Sequence, residues 1–134
     1  MIVNERVRDY IHSLESSQGE LCDQIARKAA AENIPIIKKE TAALLKTLVA
    51  AKKPGAILEV GTAVGYSALL MAGVMPENCK ITTIEKFEPR IKEAKENFKL
   101  AGLQERITLL EGDAKEFLAN LSGSFDFIFM DAAK

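Results

Sequence analysis

After Pro54-Gly55 the chain settles into one repeating rhythm, and that rhythm leaves few folds open. Apolar runs of strand length appear at Ala56–Val60, Lys80–Ile84, Arg106–Leu110 and Phe125–Met130. Ile, Val, Thr and Phe dominate them, and most lack polar alternation, as strands covered on both faces do. Helical patterns separate them. The clearest places Phe87, Ile91, Ala94, Phe98 and Ala101 on one face, with Pro89 in its first turn and Gly102 at its stop. A shorter one runs from Asp113 to about Leu121. A β-α-β-α-β-α-β series predicts an α/β fold with a doubly wound parallel sheet.

Residues 1–53 read differently, as a helical segment packing on that core, with residues 54–134 forming the α/β part. Val3, Val7, Tyr10, Ile11 and Leu14 share one helical face. Leu21, Ile25 and Ala29 mark a second helix, and Leu44, Leu45, Leu48 and Val49 a third. The break around Pro35 is unusually apolar, with Ile34, Ile36 and Ile37 beside it. Such a connector is either a packing plug or a wall over a ligand.

The first strand ends in Glu59 and runs into Gly61-Thr62-Ala63-Val64-Gly65, then a helix. Open α/β sheets bind nucleotide-like ligands at such turns. Glu85 closes the second strand 24 residues beyond Gly61, where an acid is placed to hold a ribose diol. The dinucleotide fingerprint has a glycine where Ala63 stands, and a carboxylate at Glu59 would repel a pyrophosphate. NAD is therefore disfavoured. S-adenosylmethionine, with an ammonium, a sulfonium and a ribose but no phosphate, fits better. A plain strand-to-helix turn would need the same two glycines, and Glu85 alone reads as a loop acid. Asp113, after the third strand, is a good N-cap and also borders the place of an adenine. Asp131 and Lys134 follow the fourth strand, across the switch crevice from the first. There a carboxylate is placed to bind a divalent cation and a lysine to act as a base; an ordinary polar loop is the other reading.

Composition removes other classes. With 18 basic and 19 acidic side chains among 134 residues, no net basic field draws the chain to nucleic acid or membrane. No apolar run reaches membrane-span length, and the first residues lack a signal-peptide layout, so a cytoplasmic protein is expected. Cys22 and Cys79, without a CxxC partner, read as buried small apolar residues.

Taken together, Ile34-Pro35-Ile36-Ile37, Ile57 through Ser67, Thr83-Ile84-Glu85, Glu111-Gly112-Asp113-Ala114 and Phe129-Met130-Asp131-Ala132-Ala133-Lys134 resemble a known family. It is the S-adenosylmethionine-dependent O-methyltransferases of the catechol and caffeoyl-CoA group, nearest the small bacterial members that include tRNA 5-hydroxyuridine methyltransferase. The resemblance implies a Rossmann-like class I methyltransferase fold. It implies that Ile37, Glu59, Gly61, Tyr66 and Ser67 surround the cofactor's methionine end, that Glu85 holds the ribose, and that Asp113 and Ala114 border the adenine. Asp131 would ligate Mg²⁺ and approach the cofactor, and Lys134 would be the general base. The acceptor would be 5-hydroxyuridine in tRNA or a catechol-like phenol, and the assembly a homodimer. Family members carry an Asp-Asn pair beyond this lysine that completes the metal site. The chain is accordingly expected to be truncated, with later strands missing, and by itself inactive or nearly so. Two other classes remain for comparison: an NAD-linked oxidoreductase, and a non-catalytic fragment that pairs its open sheet edge with a second copy.

Overall fold

A computed structural model describes residues 4–132. Three helices come first: α1 (Glu5–Ser13), α2 (Glu20–Ala31) and α3 (Lys39–Lys52). Then β1 (Ala56–Val60), α4 (Tyr66–Ala72), β2 (Lys80–Glu85), α5 (Glu88–Leu100), β3 (Ile107–Glu111), α6 (Ala114–Asn120) and β4 (Phe127–Met130) alternate. All strand pairs are parallel, in the order β3-β2-β1-β4. The strand order reverses between β1 and β4, so the predicted switch crevice lies beside the glycine turn.

The register sorts the strand side chains into two layers. Ile57, Ile81 and Ile107, with Phe127 and Phe129, face a core shared with Ile25, Ala29, Leu45, Val49, Met71 and Phe98 of α2 to α5. Leu58, Val60 and Ile84 face the other way, toward Phe117 and Leu121 at α6. Cys22 and Cys79 are buried free thiols, and burial raises both thiol pKa values.

Three expectations need correction. The fourth strand starts at Phe127 rather than at Phe125. Asp126 interrupts it because its carboxylate accepts the Gly55 and Ala56 amides at 2.7 and 3.2 Å. Those bonds hold the Asp126 carboxyl below its ordinary range. Coverage on both faces holds for β1 but not for β4, where Ile128 and Met130 are 57% and 65% exposed. The single short helix α6 does not reach that edge. Finally, the apolar face of α1 does not pack into the core. Val7, Tyr10, Ile11 and Leu14 are all exposed, and α1 buries no residue. Val3 lies outside the described residues.

Candidate functional site

The turn after β1 is held by the fold on three sides. Gly61 and Thr62 donate their amides to the Ile84 carbonyl at 3.0 and 3.2 Å, and Gly65 donates to the Thr62 carbonyl at 2.9 Å. The Asp131 amide donates to the Val60 carbonyl at 2.9 Å, bringing the segment after β4 alongside. Gly61 has φ +99°, and a Cβ there would stand 2.5 Å from the Asp131 carbonyl oxygen. Gly65 has φ +85°, and its Cβ would meet the Phe98 ring at 2.7 Å. Both glycines are thus demanded by packing as well as by backbone conformation. Ala63, standing in place of the dinucleotide fingerprint's second glycine, takes the left-handed conformation without being one, at φ +48°.

Glu85 closes the turn from the β2 side. Its Oε2 accepts the Ala63 amide at 2.9 Å, and its Oε1 accepts the Lys86 and Phe87 amides at 2.9 and 3.0 Å. A carboxylate offers about four acceptor positions, so capacity for a further donor remains. The Gly112 amide donates to the Glu85 carbonyl at 2.8 Å, which sets the β3–α6 turn next to this acid. Asp113 there caps α6 by accepting the Lys115 amide at 2.9 Å. That bond, and then Lys86 nearby, hold its carboxyl below the usual range. Ala114 packs against the Leu58, Val60 and Ile84 cluster.

Glu59 lies under the turn and is fully buried. Ser67 donates its hydroxyl to one oxygen, and Thr83 donates to the other at 2.5 Å. Thr62 completes the chain through its hydroxyl, 2.6 Å from that of Thr83. Burial pushes the Glu59 carboxyl up to about 7, against the two hydroxyl bonds, with the charges of Asp131 and Glu85 adding to the rise. The acid read as a fixed negative charge facing a ligand is therefore a sealed group near half-ionisation at neutral pH. Charge repulsion at Glu59 is a weaker argument against a pyrophosphate than the sequence suggested.

The turn's own amides supply a better one. Gly61, Thr62, Ala63 and Gly65 all spend their N–H groups on protein acceptors. A pyrophosphate site needs such donors aimed at the ligand. With four of the turn's five amides engaged, a cofactor without phosphate fits this turn, and the carboxylate of Glu85 stands beside it as an acceptor.

The structure brings Glu59, Gly61, Ser67, Glu85 and Asp131 together at the carboxyl end of β1 and β2. Ile37 and Tyr66 lie to one side, where both line a cavity between the N-terminal helices. Asp131 is exposed. Among the described residues no group of three or more His, Cys, Asp or Glu side chains could hold a metal ion. Lys134 lies outside the described residues. Sequence reasoning missed Thr62, Thr83 and Asn97. Asn97 donates from α5 to the Val64 carbonyl at 2.8 Å and is buried. Its position beside Phe98, on the core side of a helix, was the available signal; Thr83 gave none, since threonine is ordinary in a strand.

Comparison with known proteins places the fold in a family. A family model described as O-methyltransferase matches residues 12–134. The chain belongs to that family. A catechol O-methyltransferase from Niastella koreensis is 38% identical over 82 residues, covering 58% of this chain and 37% of that protein. The SAH-bound methyltransferase PaMTH1 of Podospora anserina superposes with a TM-score of 0.88 at 27% identity, covering 98% of this chain and 60% of that one. The O-methyltransferase TomG of Streptomyces achromogenes, solved in complex with SAM, gives 0.83 at 26% identity, covering 98% and 63%. The chain spans half or less of the length of the curated relatives it matches first.

Proposed function

We propose that this chain binds S-adenosylmethionine and serves methyl transfer to an acceptor hydroxyl. The observation that carries the reading is the pairing of a glycine turn whose Gly61, Thr62, Ala63 and Gly65 amides are already engaged with Glu85, whose carboxylate keeps acceptor capacity beside it. When bound, the cofactor supplies an electrophilic sulfonium methyl. Glu85 would accept the ribose hydroxyls, and Asp113 and Ala114 would border the adenine. Glu59, Gly61, Tyr66, Ser67 and Ile37 would enclose the methionine end, with Glu59 acting through Ser67. Asp131 would approach the cofactor from the β4 side. Holding donor and acceptor in line supplies much of the rate in such reactions. Lys134 is proposed as the base that takes the hydroxyl proton. Asp131 would be a ligand to Mg²⁺, which would lower the pKa of the acceptor hydroxyl and orient it.

The acceptor proposed from the sequence resemblance is 5-hydroxyuridine in tRNA. The names of two curated relatives, the catechol O-methyltransferases of Niastella koreensis and Sus scrofa, support a catechol-like phenol as a second reading. A cytoplasmic homodimer is the proposed setting. Calorimetric titration with S-adenosylhomocysteine and with NAD tests the cofactor: binding of the first alone is expected, and binding of NAD alone would overturn the reading. Methyl transfer to tRNA and to a catechol panel, with Mg²⁺ and with a chelator, separates the acceptors.

A further inference from the structure

Asn97 is a buried polar side chain in the second half of α5, and its partner lies in the glycine turn. Its Nδ2 donates to the Val64 carbonyl at 2.8 Å. A carbonyl only accepts, so the nitrogen of the Asn97 amide, not its oxygen, faces the turn. The Gly65 amide, at the other end of the same peptide, donates to the Thr62 carbonyl at 2.9 Å. The Val64–Gly65 peptide is thus held from both ends, by α5 on one side and within the turn on the other. Phe98, the next residue of α5, sets its ring against Gly65, where an added Cβ would stand 2.7 Å away.

That peptide launches α4. Gly65 immediately precedes Tyr66, the first residue of the helix, and its carbonyl accepts the Leu69 amide at 3.0 Å. No side chain caps α4, so the start of the helix takes its direction from how the Val64–Gly65 peptide is held. Ser67, the second residue of α4, donates its hydroxyl to Glu59. The other end of α5 reaches Glu85: the Phe87 amide, at the N-cap of α5, donates to Glu85 Oε1 at 3.0 Å. One helix therefore braces both the turn and the carboxylate beside it.

We propose that Asn97 is a positioning residue for the cofactor: it holds the Val64–Gly65 peptide against α5 and so keeps the turn, Tyr66 and Ser67 in the arrangement that binds S-adenosylmethionine. The proposal rests on the cofactor reading given above. Without the Asn97 donor, the carbonyl of a residue only 1% exposed loses its partner. The chain relieves that cost by turning the peptide away from α5. If the binding arrangement is then populated about one time in ten, the apparent dissociation constant rises about tenfold.

The test is calorimetric titration of the full chain with S-adenosylhomocysteine, at a temperature where thermal unfolding shows every variant folded. Asn97→Leu, close in size and without a donor, should bind about tenfold more weakly than the wild type. Ile107→Ala cuts into the same core from a side chain that makes no hydrogen bond to the turn, and should bind as the wild type does despite its lower stability. Asn97→Asp, read against the wild type at pH 5 and at pH 8, should be weaker at pH 8, because only the protonated carboxyl can donate to the Val64 carbonyl. A role in stability alone would move none of these affinities. Wild-type affinity in Asn97→Leu, or an equal loss in Ile107→Ala, would overturn the proposal and leave the cofactor reading standing. An Asn97→Asp variant as weak at pH 5 as at pH 8 would assign the loss to packing and overturn it too. A wild type that does not bind S-adenosylhomocysteine would sink the cofactor reading itself, and the proposal with it.

Discussion

The turn after β1 and the first helix stand at opposite ends of one scale. Every residue of α4, which the turn launches, is buried, whereas α1 buries none. Around the turn, backbone and side chains are held from several elements: Gly61 by the Asp131 backbone, Gly65 by Phe98, Ala63 by Glu85 and Glu59 by Ser67 and Thr83. Around α1 the named polar tie to the rest of the chain is a single pair, His12 with Glu40. A site that must hold reacting groups in fixed geometry belongs where constraints overlap. A segment with few buried contacts opens at low cost, which suits a wall of the cavity beneath it. The two regions should therefore respond very differently to substitution.

The largest effect is expected at Gly61. Alanine there would combine a left-handed backbone with a Cβ 2.5 Å from the carbonyl oxygen of Asp131, a residue whose amide is tied to the Val60 carbonyl. The left-handed conformation costs about 1–2 kcal/mol and overpacking about 1–3 more. Gly61→Ala should lower the unfolding free energy by about 2–5 kcal/mol in urea denaturation. A loss below 1 kcal/mol would mean that the turn and the Asp131 segment are not packed as described.

Glu59 comes next, and its effect is visible only as a function of pH. Its carboxyl is raised from an ordinary 4.5 to about 7 by burial. Below 4.5 the group is protonated both folded and unfolded, so the full stabilising effect is present there. As pH rises toward 7 the unfolded chain ionises while the buried group resists, and that stability is lost. The loss is about 3 kcal/mol in total. The difference in unfolding free energy between the wild type and Glu59→Gln should shift by that amount between pH 4.5 and pH 8, to the disadvantage of the wild type at high pH. A difference independent of pH would show that Glu59 is not sealed under the turn.

These contrasts also explain how much could be read from sequence. The parallel sheet, the turn and the position of Glu85 were legible because buried parallel strands write themselves as unbroken apolar runs. The two glycines mark positions of positive φ. What stayed hidden was contact chemistry. Nothing in Ile81-Thr82-Thr83-Ile84 tells which threonine meets a carboxylate across the sheet; that follows from the β1–β2 register, Glu59 opposite Thr83. The apolar stripe of α1 read as core because periodicity reports which side chains share a face, not what covers that face. The same holds for Ile128 and Met130 on β4.

A smaller effect is expected at Ala63. Glycine would remove the left-handed penalty of φ +48° but would also free the unfolded chain, and the two terms partly offset. Ala63→Gly should stabilise by about 0.5–1 kcal/mol, measured as an upward shift in Tm. Destabilisation would mean that the methyl group packs usefully within the turn.

The smallest effect is expected at α1, and it decides whether the comparison is sound. The His12 and Glu40 side chains are 32% and 39% exposed, so water screens the pair and it should contribute no more than about 0.5 kcal/mol. His12→Ala should therefore leave the denaturation midpoint almost unmoved while raising amide hydrogen exchange along Glu5–Ser13, because local opening of α1 does not require the core to open. If the substitution instead lowered stability by more than about 1.5 kcal/mol, α1 would belong to the same cooperative unit as the turn. The contrast between a rigid cradle and a loosely held wall would then be lost.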